Sequence, residues 1–223
     1  MAPRGFVLAH AMHTILLMLS GGVDSARMLH HYLAETDLPV HAHHVSIMNR
    51  IENRWRQELL AVQRIVQHCQ ARYRPFGFSR SACDFTALPR YIGWDSDLVF
   101  LAATRVAVNL PGERIRVAVG WSADDLKRAV VRERMERGVP HRVWEALRDS
   151  VDHAGRLDHE LDLPLLDLSK AEIVRRTPGE LLDLAWVCRR PLVESGQARP
   201  CGICHACRLF AESRASVSAP GAG

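Results

Sequence analysis

Short apolar runs alternate along the chain with longer segments in which apolar residues recur at helical spacing. Short apolar runs of this kind are typical of strands that are buried on both faces of a parallel sheet. On this basis we predict five strands, at residues 14–19, 40–47, 72–78, 115–120 and 161–166. The intervening segments predict helices at residues 24–35, 52–69, 95–108, 123–138, 143–154 and 169–176, and residues 79–93 are expected to form a loop.

The regular alternation of strand and helix predicts an α/β fold. We expect a doubly wound, five-stranded parallel sheet with strand order 3-2-1-4-5 and helices on both faces. In such sheets ligands bind at the carboxyl ends of the strands, near the point where the strand order reverses. The segment that ends the fourth strand, at residues 120–125, is therefore expected to face the loop that follows the first strand.

Composition places the chain among ordinary globular proteins. It has 223 residues, of which 48% are hydrophobic and 24% charged, enough for one sizeable core and a small appendage. The net charge of +4 is spread along the chain. This suits an anionic substrate but does not indicate a stable nucleic-acid partner. No apolar stretch approaches the length of a membrane span, and we expect a cytoplasmic protein without a secretory signal.

One glycine-containing motif stands between the first predicted strand and helix. Residues 20–25, hereafter the glycine loop, read S-G-G-V-D-S. A strand, a glycine turn and a helix start place several backbone N–H groups and the positive end of a helix dipole around one point, which favours phosphate. The Walker lysine motif and the dinucleotide fingerprint are both absent. The alternative interpretation is a plain Gly-Gly turn with Asp24 capping the helix.

Four of the six cysteines form a second motif, C-x₁₂-C-x₂-C-x₂-C. We call these residues the cysteine cluster: Cys188, Cys201, Cys204 and Cys207. Two-residue gaps allow successive thiolates to turn onto one centre, and four sulfurs complete the closed shell of a structural Zn²⁺. An Fe–S cluster would use the same ligands. Cys69 and Cys83 lack such spacing and are expected to be ordinary buried thiols.

Two further groups of polar residues follow predicted strands. His41, His43 and His44 lie within the second strand, but alternating positions on a strand point to opposite faces, so a histidine metal site is not favoured. Asp124 and Asp125 follow the fourth strand. They are expected either to cap a helix or to contact substrate or Mg²⁺, and the sequence leaves both possibilities open.

The glycine loop resembles the PP-loop of the N-type ATP pyrophosphatases. This resemblance implies that Ser20, Gly21, Gly22 and Ser25 cradle the β,γ-pyrophosphate of ATP and that Asp24 holds Mg²⁺ and acts in catalysis. ATP would then be cleaved at the α-phosphate to AMP and pyrophosphate. Gly120, at the end of the fourth strand, is expected on the other side of the same nucleotide site.

The C-terminal third looks like 7-cyano-7-deazaguanine synthases. Residues 164–173 follow the pattern P-L-x-x-x-S-K-x-E-I, and the sequences W-V-C at 186–188 and P-C-G-I-C-H-A-C-R at 200–208 come after it. The resemblance implies adenylation of 7-carboxy-7-deazaguanine and its conversion by ammonia to a nitrile. It also implies a catalytic Lys170 near phosphate, bound Zn²⁺ and a homodimer. Lys170 is one of only two lysines among 29 basic residues.

Two segments depart from the pattern of that family. Residues 46–50 read S-I-M-N-R where an Asp-Tyr-Gly-Gln stretch is usual, and residues 121–126 read W-S-A-D-D-L where a Tyr-Ser-Gly-Tyr-Pro-Asp-Cys segment is usual. Three alternatives therefore stay open: a ligase for another carboxylate, a PP-loop tRNA sulfurtransferase, and a nucleotide-binding module without catalytic activity.

The predicted organisation has four parts. We expect an irregular tail at residues 1–12, a PP-loop ATP-binding domain at 13–186 and a zinc-binding segment at 187–214. Residues 215–223, made largely of Ser, Ala, Pro and Gly, are expected to be disordered.

Overall fold

The computed structural model describes residues 13–52, 54–90, 93–111, 114–152 and 158–218. The strands are β1 Thr14–Met18, β2 Val40–Met48, β3 Gly77–Asp84, β4 Arg114–Ala118, β5 Asp158–Asp162, β6 Leu192–Glu194 and β7 Gln197–Arg199. The helices are α1 Val23–Ala34, α2 Trp55–Arg72, α3 Asp95–Ala107, α4 Ala129–Glu136, α5 Val139–Asp149, α6 Lys170–Arg175, α7 Gly179–Leu184 and α8 His205–Ser218. A short 3-10 turn at Asp125–Lys127 precedes α4.

The first five strands form one parallel sheet in the order β3-β2-β1-β4-β5. This confirms the predicted α/β class and the strand order. β6 and β7 form a separate antiparallel hairpin near the cysteine cluster, an element that the sequence analysis did not predict.

The central strand β1 supplies both hydrophobic cores. Ile15 and Leu17 pack with α1, α2, α6 and α7 on one face of the sheet. Leu16 and Met18 pack with α3 and α5 on the other face. Successive side chains of a strand point to opposite faces, so a continuous apolar run is what a strand covered on both faces requires.

The two edge strands are where the predicted boundaries are wrong. α2 continues to Arg72, and β3 occupies Gly77–Asp84, most of which was expected to be loop. β5 occupies Asp158–Asp162 rather than 161–166. Edge strands face solvent along one side and carry polar residues, so apolar runs do not mark them. β5 instead pairs with β4 partly through charge, with Arg114 Nε 2.7 Å from Asp158 Oδ2.

The helices after β4 also differ from prediction. The helix expected at 123–138 is divided into the 3-10 turn and α4, and the helix expected at 143–154 is α5, which begins earlier. α7 was not predicted as a separate helix. None of the helices in the described part of the chain is long and apolar enough to span a membrane.

The C-terminal helix α8 runs from His205 to Ser218. The expectation of disorder is therefore wrong for residues 215–218, which prolong a helix that packs against α6. An ion pair between Arg214 and Asp183, at 3.0 Å, fastens α8 near α7. The remaining residues of the two predicted tails, 1–12 and 219–223, lie outside the described residues.

Candidate functional site

The glycine loop follows β1 directly and closes on itself through its two serines. The Ser20 backbone N–H donates to Ser25 Oγ at 3.1 Å, and Ser25 Oγ donates to the Gly22 carbonyl at 3.1 Å. The Gly22 N–H lies 3.3 Å from Ser20 Oγ. α1 begins one residue later, with Gly22 at its N-cap. Backbone donors and a helix N-terminus therefore converge at this loop, an arrangement that suits an anion.

Two glycines permit close backbone approach at the site. Gly21 has a φ of +83°, and a Cβ there would lie 2.7 Å from the Glu58 carbonyl oxygen. A Cβ on Gly120 would lie 3.2 Å from Asp24 Cβ and 3.2 Å from Met28 Cε. The end of β4 thus packs against the start of α1, and the structure places Gly120 opposite the glycine loop.

Lys170 forms an ion pair with Asp24, bringing together two residues that are 146 positions apart in the chain. Both side chains are mostly buried, with 15% and 21% of their surface exposed. Burial raises the pKa of the Asp24 carboxyl, and the Lys170 ammonium opposes this rise. The pair unites the two residues that were predicted to be catalytic.

Local sequence explains how α6 presents Lys170. Ser169 and Glu172 form a capping box at the start of this helix, and Lys170 is its first residue. Asp124 also accepts a hydrogen bond from the Lys170 backbone N–H and another from Lys127 Nζ at 2.6 Å. Asp124 therefore fixes the start of α6.

Asp125 has a different role from its neighbour. Its Oδ2 accepts hydrogen bonds from the backbone N–H and the hydroxyl of Ser122, at 2.9 and 3.0 Å. It is thus a capping residue of the turn after β4, and it also lines the cleft beside Asp24. Contact with substrate or Mg²⁺ stays a prediction for Asp125.

A cleft of about 790 Å³ lies above the carboxyl ends of the strands. Its walls include five predicted nucleotide-site residues and the predicted catalytic lysine: Ser20, Gly22, Asp24, Ser25, Gly120 and Lys170. Residues from the other end of the chain complete it, among them Cys204 of the cysteine cluster. The two motifs found in the sequence therefore open on one cavity.

The four sulfur atoms of the cysteine cluster lie within 4.8 Å of one another. Sulfurs bound to one zinc at about 2.3 Å would be about 3.8 Å apart, and Cys188 Sγ is 3.5 Å from Cys201 Sγ. The backbone N–H groups of Cys201 and Cys204 point at cluster sulfurs, each at 3.3 Å. Burial opposes ionisation of Cys204, but hydrogen bonds from backbone N–H groups lower its pKa to about 6. The donor set fits a thiolate-bound metal, either Zn²⁺ or an Fe–S cluster.

Among known proteins, a 7-cyano-7-deazaguanine synthase from Dechloromonas aromatica (strain RCB) is 36% identical over 76 residues. These residues are 33% of this chain and 33% of that enzyme, so the similarity spans a third of the relative. No family model matches this chain.

Two solved structures are similar to the chain at lower sequence identity. The U34-tRNA thiolase NcsA from Methanococcus maripaludis, with its [4Fe-4S] cluster, has a TM-score of 0.49 and 17% identity, covering 95% of this chain and 67% of that one. The NMN synthetase from Francisella tularensis has a TM-score of 0.43 and 16% identity, covering 86% and 71%.

A charged network on the cleft wall was not predicted from the sequence. Arg54 donates to Glu58 at 2.8 Å, lies 2.8 Å from Glu52, and also contacts Asp95 on α3. Burial raises the pKa of the Glu58 carboxyl, and Arg54 opposes this. The spacing of Arg54 and Glu58, one helical turn apart, is visible in the sequence. The contact with Asp95 depends on the fold and has no sequence signal.

Exposed arginines surround the mouth of the cleft: Arg128, Arg189, Arg190 and Arg208. No ion pair within the described part of the chain involves any of them. Unpaired cations on the walls of a cleft attract anionic ligands. Because the sequence disperses its arginines, this grouping could not be recognised before the fold was known.

The histidines of β2 are held by hydroxyl groups. His43 lies between Ser79 and Ser81, at 2.7 and 2.9 Å, and His41 lies 2.7 Å from Ser79. His44 donates from Nδ1 to the Leu19 carbonyl at 2.9 Å, next to the glycine loop. Burial lowers the pKa of His43 to about 4, so His43 is a neutral part of the cleft wall at pH 7.

Proposed function

We propose that the protein is an ATP-dependent ligase of the 7-cyano-7-deazaguanine synthase type. One observation carries the proposal: the glycine loop, the Asp24–Lys170 pair and the cysteine cluster all border a single cleft. The relative from Dechloromonas aromatica, which matches a third of the chain, is named a 7-cyano-7-deazaguanine synthase, and this name supports the proposed activity. A PP-loop enzyme that uses ATP is the broader form of this proposal.

The residues of the cleft fit ATP. The backbone N–H groups of the glycine loop suit the leaving β,γ-pyrophosphate, because fixed donors stabilise charge that grows on a leaving group. Asp24 and the neighbouring Asp125 offer the carboxylate oxygens that Mg²⁺ prefers. Bound Mg²⁺ would neutralise phosphate charge. Lys170, which contacts Asp24, would exchange this carboxylate for a phosphate oxygen when ATP binds.

The proposed reaction has two adenylation steps. A carboxylate oxygen of 7-carboxy-7-deazaguanine attacks the α-phosphate of ATP and releases pyrophosphate, giving an acyl adenylate. Ammonia displaces AMP and forms the amide. The amide oxygen then attacks the α-phosphate of a second ATP and releases pyrophosphate, and loss of AMP and of the two amide protons leaves the nitrile. The exposed arginines at the mouth of the cleft suit the carboxylate of the acceptor.

The test is incubation with ATP, Mg²⁺, ammonia and 7-carboxy-7-deazaguanine, followed by mass detection of the nitrile and measurement of pyrophosphate. Nitrile formation that Asp24→Asn abolishes would support the proposal. Pyrophosphate release without nitrile formation would support ATP cleavage but would show that 7-carboxy-7-deazaguanine is not the acceptor. The acceptor would then be another carboxylate or a tRNA base. A protein that binds ATP without releasing pyrophosphate would be a nucleotide-binding module. The homodimer, the cytoplasmic location and the lack of a stable nucleic-acid partner stay predictions.

A further inference from the structure

Trp186 touches both functional motifs of the cleft. It lies between the end of α7 and Cys188, the first residue of the cysteine cluster. Its backbone N–H donates to the Gly21 carbonyl of the glycine loop at 2.8 Å. Its indole Nε1 donates to the Cys188 carbonyl at 2.8 Å. One residue therefore joins the glycine loop to the cysteine cluster through two hydrogen bonds.

The bond to Gly21 sets the direction of a phosphate-binding donor. The carbonyl of Gly21 and the N–H of Gly22 belong to one planar trans peptide and point in opposite directions. With the carbonyl held by Trp186, the Gly22 N–H points away from Trp186, toward Ser20 Oγ at 3.3 Å. Ser20 is exposed, and Ser20 and Gly22 both line the cleft. A phosphate oxygen bound here would accept from the same N–H in place of Ser20 Oγ.

This peptide needs to be held, because Gly21 constrains it weakly. Gly21 has a φ of +83°, and glycine populates positive and negative φ about equally. From the opposite side, the α2 backbone at Glu58 blocks any side chain at Gly21, but it donates no hydrogen bond to the loop carbonyl. Among the described residues, only Trp186 donates a hydrogen bond to the Gly21 carbonyl.

The position of Trp186 depends in turn on Cys188. No residue from 189 to 206 is buried, so beyond Cys188 the chain has few apolar contacts to fix it. Cys188 itself is 1% exposed and its sulfur lies in the cluster. When the four thiolates hold a metal, the Cys188 backbone is fixed, and with it the acceptor for the indole N–H.

We propose that Trp186 is a positioning residue that couples metal binding at the cysteine cluster to phosphate binding at the glycine loop. The proposal rests on the ATP-binding part of the proposed function and is independent of the acceptor. Coupling between two binding sites is reciprocal. Metal in the cluster should therefore favour nucleotide binding, and bound nucleotide should slow metal loss.

The variant Trp186→Phe tests this, because it keeps an aromatic ring and removes the indole N–H. Trp55→Phe is the matched control, since Trp55 does not line the cleft and its indole N–H makes no hydrogen bond with the described residues. Three quantities are measured on protein reconstituted with Zn²⁺. They are the affinity for α,β-methylene-ATP with Mg²⁺, the rate of zinc loss to a chelator with and without that nucleotide, and amide hydrogen exchange of residues 20–25.

The expected result is specific to Trp186→Phe. Loss of one hydrogen bond should weaken nucleotide affinity roughly two- to tenfold, and the nucleotide should no longer slow zinc loss. Exchange of residues 20–25 should accelerate in this variant, and in the wild type after zinc removal, while the thermal midpoint of the zinc-bound variant stays near that of Trp55→Phe.

The proposal is wrong if exchange of residues 20–25 is the same in both variants and insensitive to zinc. It is also wrong if the wild type binds nucleotide with an affinity that neither Trp186→Phe nor zinc removal changes. Failure of the proposed function gives a different result: no nucleotide binding by the wild type, or binding without nitrile formation. The exchange measurement needs no nucleotide and decides the coupling of the two motifs in either case.

Discussion

The two walls of the cleft are built on different physical principles. The sheet wall rests on β1, where Ile15, Leu16 and Leu17 are fully buried. The wall formed by residues 188–207 carries exposed apolar side chains, including Val193 at 58% and Ile203 at 76%, and within it only Cys188 and Cys207 are buried. Apolar burial therefore positions the first wall, and the second needs bonds between sulfur and metal. Loss of the metal should therefore leave the buried strands of the sheet wall intact and affect that wall only at the glycine loop, through Trp186.

The largest expected effect is on the cysteine wall. Cys188→Ser removes one of four sulfurs, and metal binding is also what folds a segment with little core. We expect loss of the metal and a loss of local folding free energy of more than roughly 4 kcal/mol. Hydrogen exchange of residues 189–206 should become fast, while the amides of β1 and β4 stay protected.

Cys83→Ser is the control for this experiment. Cys83 lies on the edge strand β3, outside the cluster, and its substitution should keep the metal and the exchange pattern. If Cys188→Ser lowered protection evenly across β1, β4 and residues 189–206, the two walls would be one cooperative unit and the contrast between them would be wrong.

The second largest expected effect is a loss of stability in the sheet wall. Gly21→Ala places a Cβ at positive φ and within 2.7 Å of the Glu58 carbonyl, a backbone atom that cannot rotate away. We expect the free energy of unfolding to fall by roughly 2–4 kcal/mol, measured by denaturant titration of metal-bound protein. Metal content should not change.

Gly196→Ala separates backbone strain from crowding. Gly196 has a similar φ of +80°, but nothing lies within 4 Å of a Cβ there. We expect a loss of about 1 kcal/mol, confined to the β6–β7 hairpin. Equal losses for the two glycines would show that contact with α2 does not hold the glycine loop in place.

The sequence predicted the centre of the fold better than its edges. β1 carries the apolar run that burial on two faces requires, β2 and β4 carry β-branched residues, and all three were located to within a few residues. β5, with the sequence D-H-E-L-D, is specified by pairing with β4 and by charge. Its position depends on a partner more than forty residues away, which hydrophobic periodicity cannot reveal.

The site divides in the same way. The glycine loop and the cysteine cluster are local patterns, because a phosphate turn and a metal knuckle need fixed spacing. Asp24 and Lys170 were each assigned to the site from a resemblance rather than from spacing, and their ion pair was not predicted. The contact between Arg54 and Asp95 and the bridge through Trp186 are created by the fold, and no local pattern marks them.

A third, smaller effect concerns the chemistry between the walls. Lys170→Arg replaces a compact ammonium, which contacts both carboxylate oxygens of Asp24, with a larger planar group. We expect ATP turnover to fall about ten- to a hundredfold, measured as pyrophosphate release, with the fold intact. Lys127→Arg is the matched control, because Lys127 is the other lysine and its side chain is 75% exposed. Unchanged turnover in Lys170→Arg would rule out a requirement for the ammonium.

The smallest expected effect is a fall in the stability of the sheet wall in acid, caused by His43. His43 lies on the sheet wall with only 2% of its surface exposed, and burial lowers its pKa from 6.5 to about 4. The unfolded chain therefore takes up this proton first as the pH falls. The stabilising effect of neutral His43 is complete above pH 6.5 and declines as the pH falls toward 4.

Because the pKa of His43 is lower in the folded than in the unfolded chain, the free energy of unfolding of the wild type should fall by about 1 kcal/mol between pH 7 and pH 5.5. His43→Gln should be less stable at pH 7, because the contacts with Ser79 and Ser81 change, but its stability should fall less over the same pH interval. Denaturant titrations of metal-bound protein at both pH values measure this difference. His141→Gln, at an exposed position of α5, should retain the pH dependence of the wild type. If His43→Gln also retains it, the acid sensitivity belongs to other groups, among them the thiolates of the cysteine wall, which lose their metal as they are protonated.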